Sequence, residues 1–467
     1  MLIRFRQLLL ITAIALLAAG VAACGGGGSG GSIANGGACS VARQKQFVLD
    51  AAREWYLFLD LLPPSVNLGD YATAQELLDA LTATARAQGK DRFFSFLTTP
   101  AADSSFFQEG QFIGFGFQTS IQGNRLFVTD VFEASPAADG GLTRGVEITA
   151  IDAGAGFVPI ATILASDPNL EQAFGSADEG VQRGLRFLRL DGQQVEVTLT
   201  KELVTILPVP ATNGTAILAL PSNPSVPVGY IHLRTFISTA VTPLTDAFAQ
   251  FRAQGIDYII VDFRSDGGGL VSVAEFIGDL NGGNRASTDV FSKTRFNAMK
   301  SSNDSVRRFV AQPQSIAPVR IAFITNGGTA SASELVINAM KPWTEIAIVG
   351  ADTFGKPVGQ LAFDMSGCDL RLRLIAFKLT NANDEGDYFD GLASTLPFAC
   401  RATDDLARTP GDPAEDSTAE ALNWLDTGAC GQVMSAGGPG LQLALAPERA
   451  PMPRAPTPAQ AYLPGLF

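Results

Sequence analysis

Ser331 and Lys356 have the side chains and the setting for acyl-transfer chemistry. Ser331 stands where an apolar run, Ile321–Thr325, and a turn, Asn326–Thr329, give way to a helix. A helix N-terminus offers unpaired N–H groups and a positive potential, which suit an alkoxide and an oxyanion. The serine proton needs a base. The chain has one histidine, His232, in the strand-like run VGYIHLRTF, and a Ser-His-Asp triad would have to use it. Serine hydrolases also work with a Ser-Lys pair. The lysine must then be neutral, and bringing its pKa from about 10.4 to near 7 costs roughly 4 kcal/mol of differential solvation. Lys356 has the apolar company this requires, in Phe354, Pro357 and Val358. The plain alternative is a surface lysine in a turn.

The elements around these residues read as strand, turn, helix, strand. Leu335, Val336, Ala339 and Met340 share one helix face, and Pro342 ends the helix. A second apolar strand, Ile346–Gly350, leads into the turn that carries Lys356.

The segments TASASE and TFGKPVGQ resemble the catalytic core of the carboxy-terminal processing proteases, peptidase family S41. In that family the lysine follows the serine by twenty-five positions, which here pairs Ser331 with Lys356. The resemblance implies Ser331 as nucleophile, Lys356 as general base and Gln360 as the residue orienting the lysine. Ser333 competes as nucleophile, but the spacing favours Ser331. The resemblance further implies that the turn in DFRSDGGGL lends the N–H of Gly268 to an oxyanion hole, paired with the N–H of Ala332. Gly267 stands where the family usually has proline, so a looser turn is expected. Asp262 and Arg264 read as an ion pair holding this turn, and His232 as a core residue.

Hydrophobic residues make up 46% and charged residues 17%, which allows a large core. The formal net charge is -13, and no basic stripe is available to meet phosphates, so no nucleic-acid partner is expected. Arg4 and Arg6 precede an apolar stretch too short to span a bilayer, Leu8–Leu17. Then comes Val21-Ala22-Ala23-Cys24, which resembles a bacterial lipobox. This implies lipidation of Cys24, attachment to a membrane, and a place facing the periplasm in a bacterial cell envelope, at the outer membrane. The GGGGSGGS that follows reads as a flexible tether. Four further cysteines permit two disulfides in three connectivities. Cys368–Cys400 with Cys39–Cys430 is the favoured pairing. No metal and no cofactor are expected, since the spacings do not suit zinc.

The expected fold is a multidomain α+β and α/β chain. Residues 1–24 are signal and lipobox, 25–40 tether, and 41–104 a helical module with helices over Val41–Leu62 and Thr73–Ala87. Residues 105–202 turn to short strands and resemble a PDZ domain, most specifically in SPAADGGLTRGVEITAID. There a peptide end adds beside a sheet edge and its carboxylate meets loop N–H groups. The loop would be Phe112, Ile113, Gly114, Phe115, Gly116 and Phe117, with the glycines admitting a close backbone. Residues 203–432 form the catalytic domain, which the resemblance makes ClpP/crotonase-like, with an extension that includes a helix over Ala419–Leu425. Residues 433–467 read as a disordered tail. The expected function is a serine endopeptidase acting on peptides or envelope proteins. The alternatives are a non-catalytic PDZ peptide-binding scaffold on the same fold, or an acyl-CoA enzyme with paired N–H groups at a helix start.

Overall fold

The computed structural model describes residues 37, 39–434 and 449–467. The signal, lipobox, Cys24 and nearly all of the tether lie outside the described residues. Ser40 and Thr73 accept backbone N–H groups and cap two helices, Val41–Trp55 and Ala74–Ala87, which pack through Val48, Ala52, Leu77, Leu78 and Leu81. The first helix ends at Trp55, not at Leu62. Tyr56 turns away to donate its hydroxyl to Asp91, and the Leu57 N–H donates to the Ile375 carbonyl, so tertiary bonds end the helix before the prolines do.

A short strand, β1 (Phe96–Thr98), leaves this module. Then come β2 (Gln111–Gly114), β3 (Phe117–Gln122), β4 (Arg125–Val131), β5 (Glu147–Asp152), β6 (Phe157–Pro159), β7 (Gln182–Leu188), β8 (Gln194–Thr200) and β9 (Glu202–Thr205). Strands β3-β4-β5-β7-β8 form an antiparallel sheet, with β6 beside β5, while β9 returns to pair with β2. Its core is aromatic and aliphatic: Phe115, Phe117, Leu126, Ile148, Leu185 and Phe187 are all buried.

The central sheet has the order β10 (Thr215–Leu220), β11 (Asn223–His232), β12 (Tyr258–Asp262), β15 (Arg320–Thr325), β16 (Glu345–Gly350), β19 (Ala399–Arg401). It is parallel from β11 to β19. Strands covered on both faces should read as continuous apolar runs, and YIIVD and RIAFIT do. Ile259, Val261, Ile321 and Phe323 face helices Val241–Ala253, Val271–Asn281 and Ala332–Met340. Ile260, Ala322 and Ile324 face the opposite helix, Asp416–Thr427, which is longer than its expected core of Ala419–Leu425. A third sheet joins distant parts of the chain: β1, β18 (Arg371–Thr380), β13 (Val290–Phe296) and β14 (Ser305–Arg308), with β17 (Val358–Asp364) also on β18.

Two expectations are corrected. The disulfides are Cys39–Cys368 and Cys400–Cys430. Cys368 lies in the β17–β18 turn against the first helix. Cys400 lies on β19 in a different sheet, where Val433 pairs with it. Residues 449–467, expected to be disordered, are packed onto the body. Helix Pro458–Tyr462 is capped by Thr457, and Ala459, Leu463, Leu466 and Phe467 are buried. The apolar end of this segment, AYLPGLF, outweighs the prolines that precede it. Among the described residues, no helix is long and apolar enough to cross a membrane.

Candidate active site

Two turns at the C-terminal ends of β12 and β15 are sewn together. Asn326 Oδ1 accepts the N–H groups of Ser265 and Gly328, both at 2.9 Å. The Thr329 hydroxyl donates to the Phe263 carbonyl at 2.7 Å, and the Ala330 N–H donates to the Asp266 carbonyl at 3.0 Å. This frame holds Ser331 at φ 58° and ψ -111°, a region non-glycine residues seldom adopt. Such a residue stores on the order of 1–3 kcal/mol and persists only where its surroundings over-determine it. Helix Ala332–Met340 starts at the next residue. The competing serine, Ser333, is fully buried and donates its hydroxyl to the Asp266 carbonyl. Ser331 remains partly exposed.

One buried carboxylate joins the serine to the lysine. Glu334 Oε2 accepts the N–H of Ser331 at 2.9 Å and the N–H of Lys356 at 2.7 Å. Its Oε1 accepts the Thr353 hydroxyl and the Gly355 N–H. All four partners donate, which favours the ionised form, while burial pushes the pKa above the usual glutamate value. Glu334 was not singled out in the sequence, although Ser-x-x-Glu at a helix start is a recognisable capping pattern.

Lys356 is 6% exposed, and burial lowers its pKa to about 8 against the opposing pull of Asp91 and Glu334. Its Nζ lies 4.8 Å from the Phe94 ring and 5.1 Å from the Tyr462 ring. Phe94 belongs to the N-terminal module. That module also sends Arg92 to the carbonyls of Phe354 and Gly355, beside the lysine. Gln360 accepts the Tyr462 hydroxyl and donates to the Phe94 carbonyl, so it ties together the two residues whose rings surround the lysine.

One donor of the expected oxyanion pair, Gly268, is already bonded in this structure. A Cβ on Gly268 would lie 2.7 Å from the Ala332 nitrogen and 2.8 Å from the Ser331 Cβ, so the two stretches do abut. The Gly268 N–H, however, donates to Asp266 Oδ1 at 2.8 Å. Asp266 is buried, its carboxyl is pushed well above the usual range by desolvation, and its Oδ2 has no partner among the described residues. The adjacent Gly267 N–H donates to the Tyr462 carbonyl at 2.9 Å. Behind the turn, Arg264 bonds Asp262, Asp404 and Glu415, so the expected Asp262–Arg264 pair is part of a larger buried network. His232 is buried at the end of β11.

The Phe112–Phe117 stretch lies apart from Ser331 in sequence and runs from β2, paired with β9, into the start of β3. Gly114 and Gly116 abut the last residue of the sequence: a Cβ on Gly114 would lie 3.2 Å from the Phe467 carbonyl carbon, and the Gly116 N–H donates to the Phe467 oxygen at 2.9 Å. Phe115 and Phe117 line the pocket of the Phe467 ring. Phe112 packs on Phe132 and near Leu466, and Ile113 is half-buried on β2. A separate cavity of about 430 Å³ lies between the β3–β4 hairpin and the ends of β15 and β16, lined by Gln122, Arg125, Arg264, Asn326 and Arg401. Neither Ser331 nor Lys356 lines it.

Residues 227–391 match the family described as Peptidase family S41, and residues 43–96 match the Peptidase S41 N-terminal domain. In these two stretches the chain is similar to peptidase family S41. Both Ser331 and Lys356 fall inside the S41 match, and Phe94 falls inside the N-terminal match. A carboxyl-terminal-processing protease of Synechocystis sp. is 30% identical over 259 residues, covering 55% of this chain and 56% of that protein. A chloroplastic C-terminal processing peptidase of Tetradesmus obliquus is 31% identical over 204 residues, covering 41% and 40%. The chain thus spans about half the length of the curated relatives it matches. The crystal structure of an S41 protease from Bacteroides fragilis superposes with a TM-score of 0.61 at 18% identity, covering 82% of this chain and 97% of that one. At that identity the likeness speaks for the fold.

Proposed function

We propose that this chain is a serine endopeptidase in which Ser331 is the nucleophile and Lys356 the general base. The observation that carries the reading is the shared carboxylate oxygen of Glu334, bonded to the backbone N–H of both residues. That shared acceptor, beside a strained, partly exposed serine and a desolvated lysine, supports reading the two as one site. The neutral amine takes the serine proton as Oγ attacks a peptide carbonyl, and the ammonium returns it to the leaving amine. Water then resolves the acyl-enzyme. The Ala332 N–H, first in its helix, has no intrahelical acceptor and suits an oxyanion. The second donor comes from the Gly267–Gly268 turn once Tyr462 or Asp266 releases an N–H group. Gln360 positions the lysine's surroundings through Phe94 and Tyr462. The glycine loop at Gly114–Gly116 receives the end of a peptide substrate, and the substrates are envelope proteins or peptides reached from a lipid anchor at Cys24. The curated relatives named as carboxyl-terminal-processing enzymes support the same class of reaction.

The test is digestion of one unfolded model protein, read by mass. Ser331→Ala and Lys356→Ala should each reduce cleavage by about a thousandfold or more. Unchanged cleavage by Ser331→Ala removes this nucleophile. An inert wild type that still binds peptides favours the scaffold reading, to which the filled cleft lends support.

A further inference from the structure

The described C-terminal segment lies in two places at once. At its end it adds a strand to the free edge of β3. The Phe467 N–H donates to the Phe117 carbonyl at 3.0 Å, and the Thr119 N–H donates to the Gly465 carbonyl at 2.9 Å. The Phe467 oxygen meets the N–H groups of Gly116 and Phe117. Leu466 pairs antiparallel with Gln118. The Phe467 ring is buried 4.1 Å from the Phe174 ring, and Lys201 fixes the loop after Phe174 by donating to the Gly175 and Ser176 carbonyls. Gly114 lets the backbone of Phe467 approach, since a Cβ there would lie 3.2 Å from the Phe467 carbonyl carbon, while Gly116, at φ +87°, has no room for a side chain beside Ser135.

Five residues earlier the same segment closes the catalytic cleft. The Tyr462 carbonyl occupies the Gly267 N–H, its ring covers Lys356, and its hydroxyl bonds Gln360. Leu463 and Leu466 are buried with Phe96, Phe106, Phe107 and Phe112. Gln118 bridges the two halves by donating to the carbonyls of Pro464 and Ser265. Residues 458–462 are helical, so this stretch is not laid out as the extended chain that a serine nucleophile attacks.

We propose that residues 457–467 are a built-in ligand that fills the β3 groove and the Ser331–Lys356 cleft together, and that they keep the site closed until a competing peptide displaces them. The groove then selects peptides with a large aromatic side chain where Phe467 sits and a leucine before it, because only an apolar ring fills the pocket of Phe115, Phe117 and Phe174. That the cleft is catalytic rests on the reading above; that the groove is filled does not. A tethered ligand at millimolar effective concentration masks its site from free peptide and from substrate.

The test uses a fluorescent peptide of the sequence TPAQAYLPGLF and the full chain, read by anisotropy and by digestion of an unfolded protein. The double variant Leu466→Asp/Phe467→Asp should bind the peptide at least about tenfold more tightly than the wild type and cleave at least about tenfold faster. Tyr462→Ala, which removes the ring over Lys356 but leaves the groove contacts in place, should bind the peptide no more tightly than the wild type. This second variant guards against a folding defect in the first. Adding Phe174→Asp to the double variant should abolish peptide binding. Peptide affinity unchanged by the aspartates overturns the built-in ligand, whatever cleavage does. Peptide affinity that rises while no variant cleaves keeps the built-in ligand and removes the catalytic reading.

Discussion

Glu334 sets both the position and the charge of the proposed base. Its oxygens hold four donors, and its negative charge pulls the Lys356 pKa up while burial pulls it down to about 8. Lys356 acts as a base only when neutral, so kcat/KM should rise with pH and level off above about 8. Glu334→Gln keeps the shape but puts an amide N–H₂ where two donors now converge. We expect that variant to lose about a hundredfold in rate, as two buried donors lose their acceptor. Its pH limb should also move downward, because the charge that favoured the ammonium is gone. A profile of kcat/KM from pH 6 to 10 checks both. A rate loss with an unmoved limb would mean that Glu334 holds the fold and does not bias the lysine.

At the scale of elements, the strand–turn–helix–strand unit around Ser331 was legible because its signals are local: apolar runs, a turn and a face of four apolar residues. The proposed dyad rests on spacing and segment resemblance. Bonds between elements distant in sequence were not legible. The first helix was read too long because Tyr56 and Leu57 bond to Asp91 and Ile375, far along the chain. The Gly268 donor was read as free although the signal against it is local, since an aspartate readily bonds the N–H two residues on, as Asp266 does here. The roof of the lysine was missed because its parts are distant in sequence: Phe94 arrives from the N-terminal module and Tyr462 from the C-terminal segment. That roof is testable. Phe94→Ser admits water beside the ammonium, and desolvation is the largest cause of the lowered pKa. The limb should therefore move up by about one pH unit toward the free-lysine value, opposite to the shift expected for Glu334→Gln. Titration of the rate in both variants, side by side, separates solvation from charge.

Across the whole molecule, polar ties join parts that no continuous segment connects. Asp103 receives Arg371 and Arg373 from β18, Arg234 reaches Asp130 and Glu133, and Arg144 reaches Asp404. The two disulfides divide the same labour unequally. Cys39–Cys368 closes a sequence separation of 329 and fastens the helical module to the β17–β18 hairpin, while Cys400–Cys430 closes a separation of 30 within the central domain. By chain entropy alone these are worth about 6 and about 4 kcal/mol. Cys39→Ser/Cys368→Ser should therefore lower Tm more than Cys400→Ser/Cys430→Ser. Only the first bond anchors the module that carries Phe94. Its loss should also loosen the roof over Lys356 and move the pH limb up, while the second pair of substitutions leaves the limb in place. Calorimetry orders the two stabilities, and rate profiles read the limb. A limb that moves equally in both variants would show that the N-terminal module does not control the solvation of the lysine.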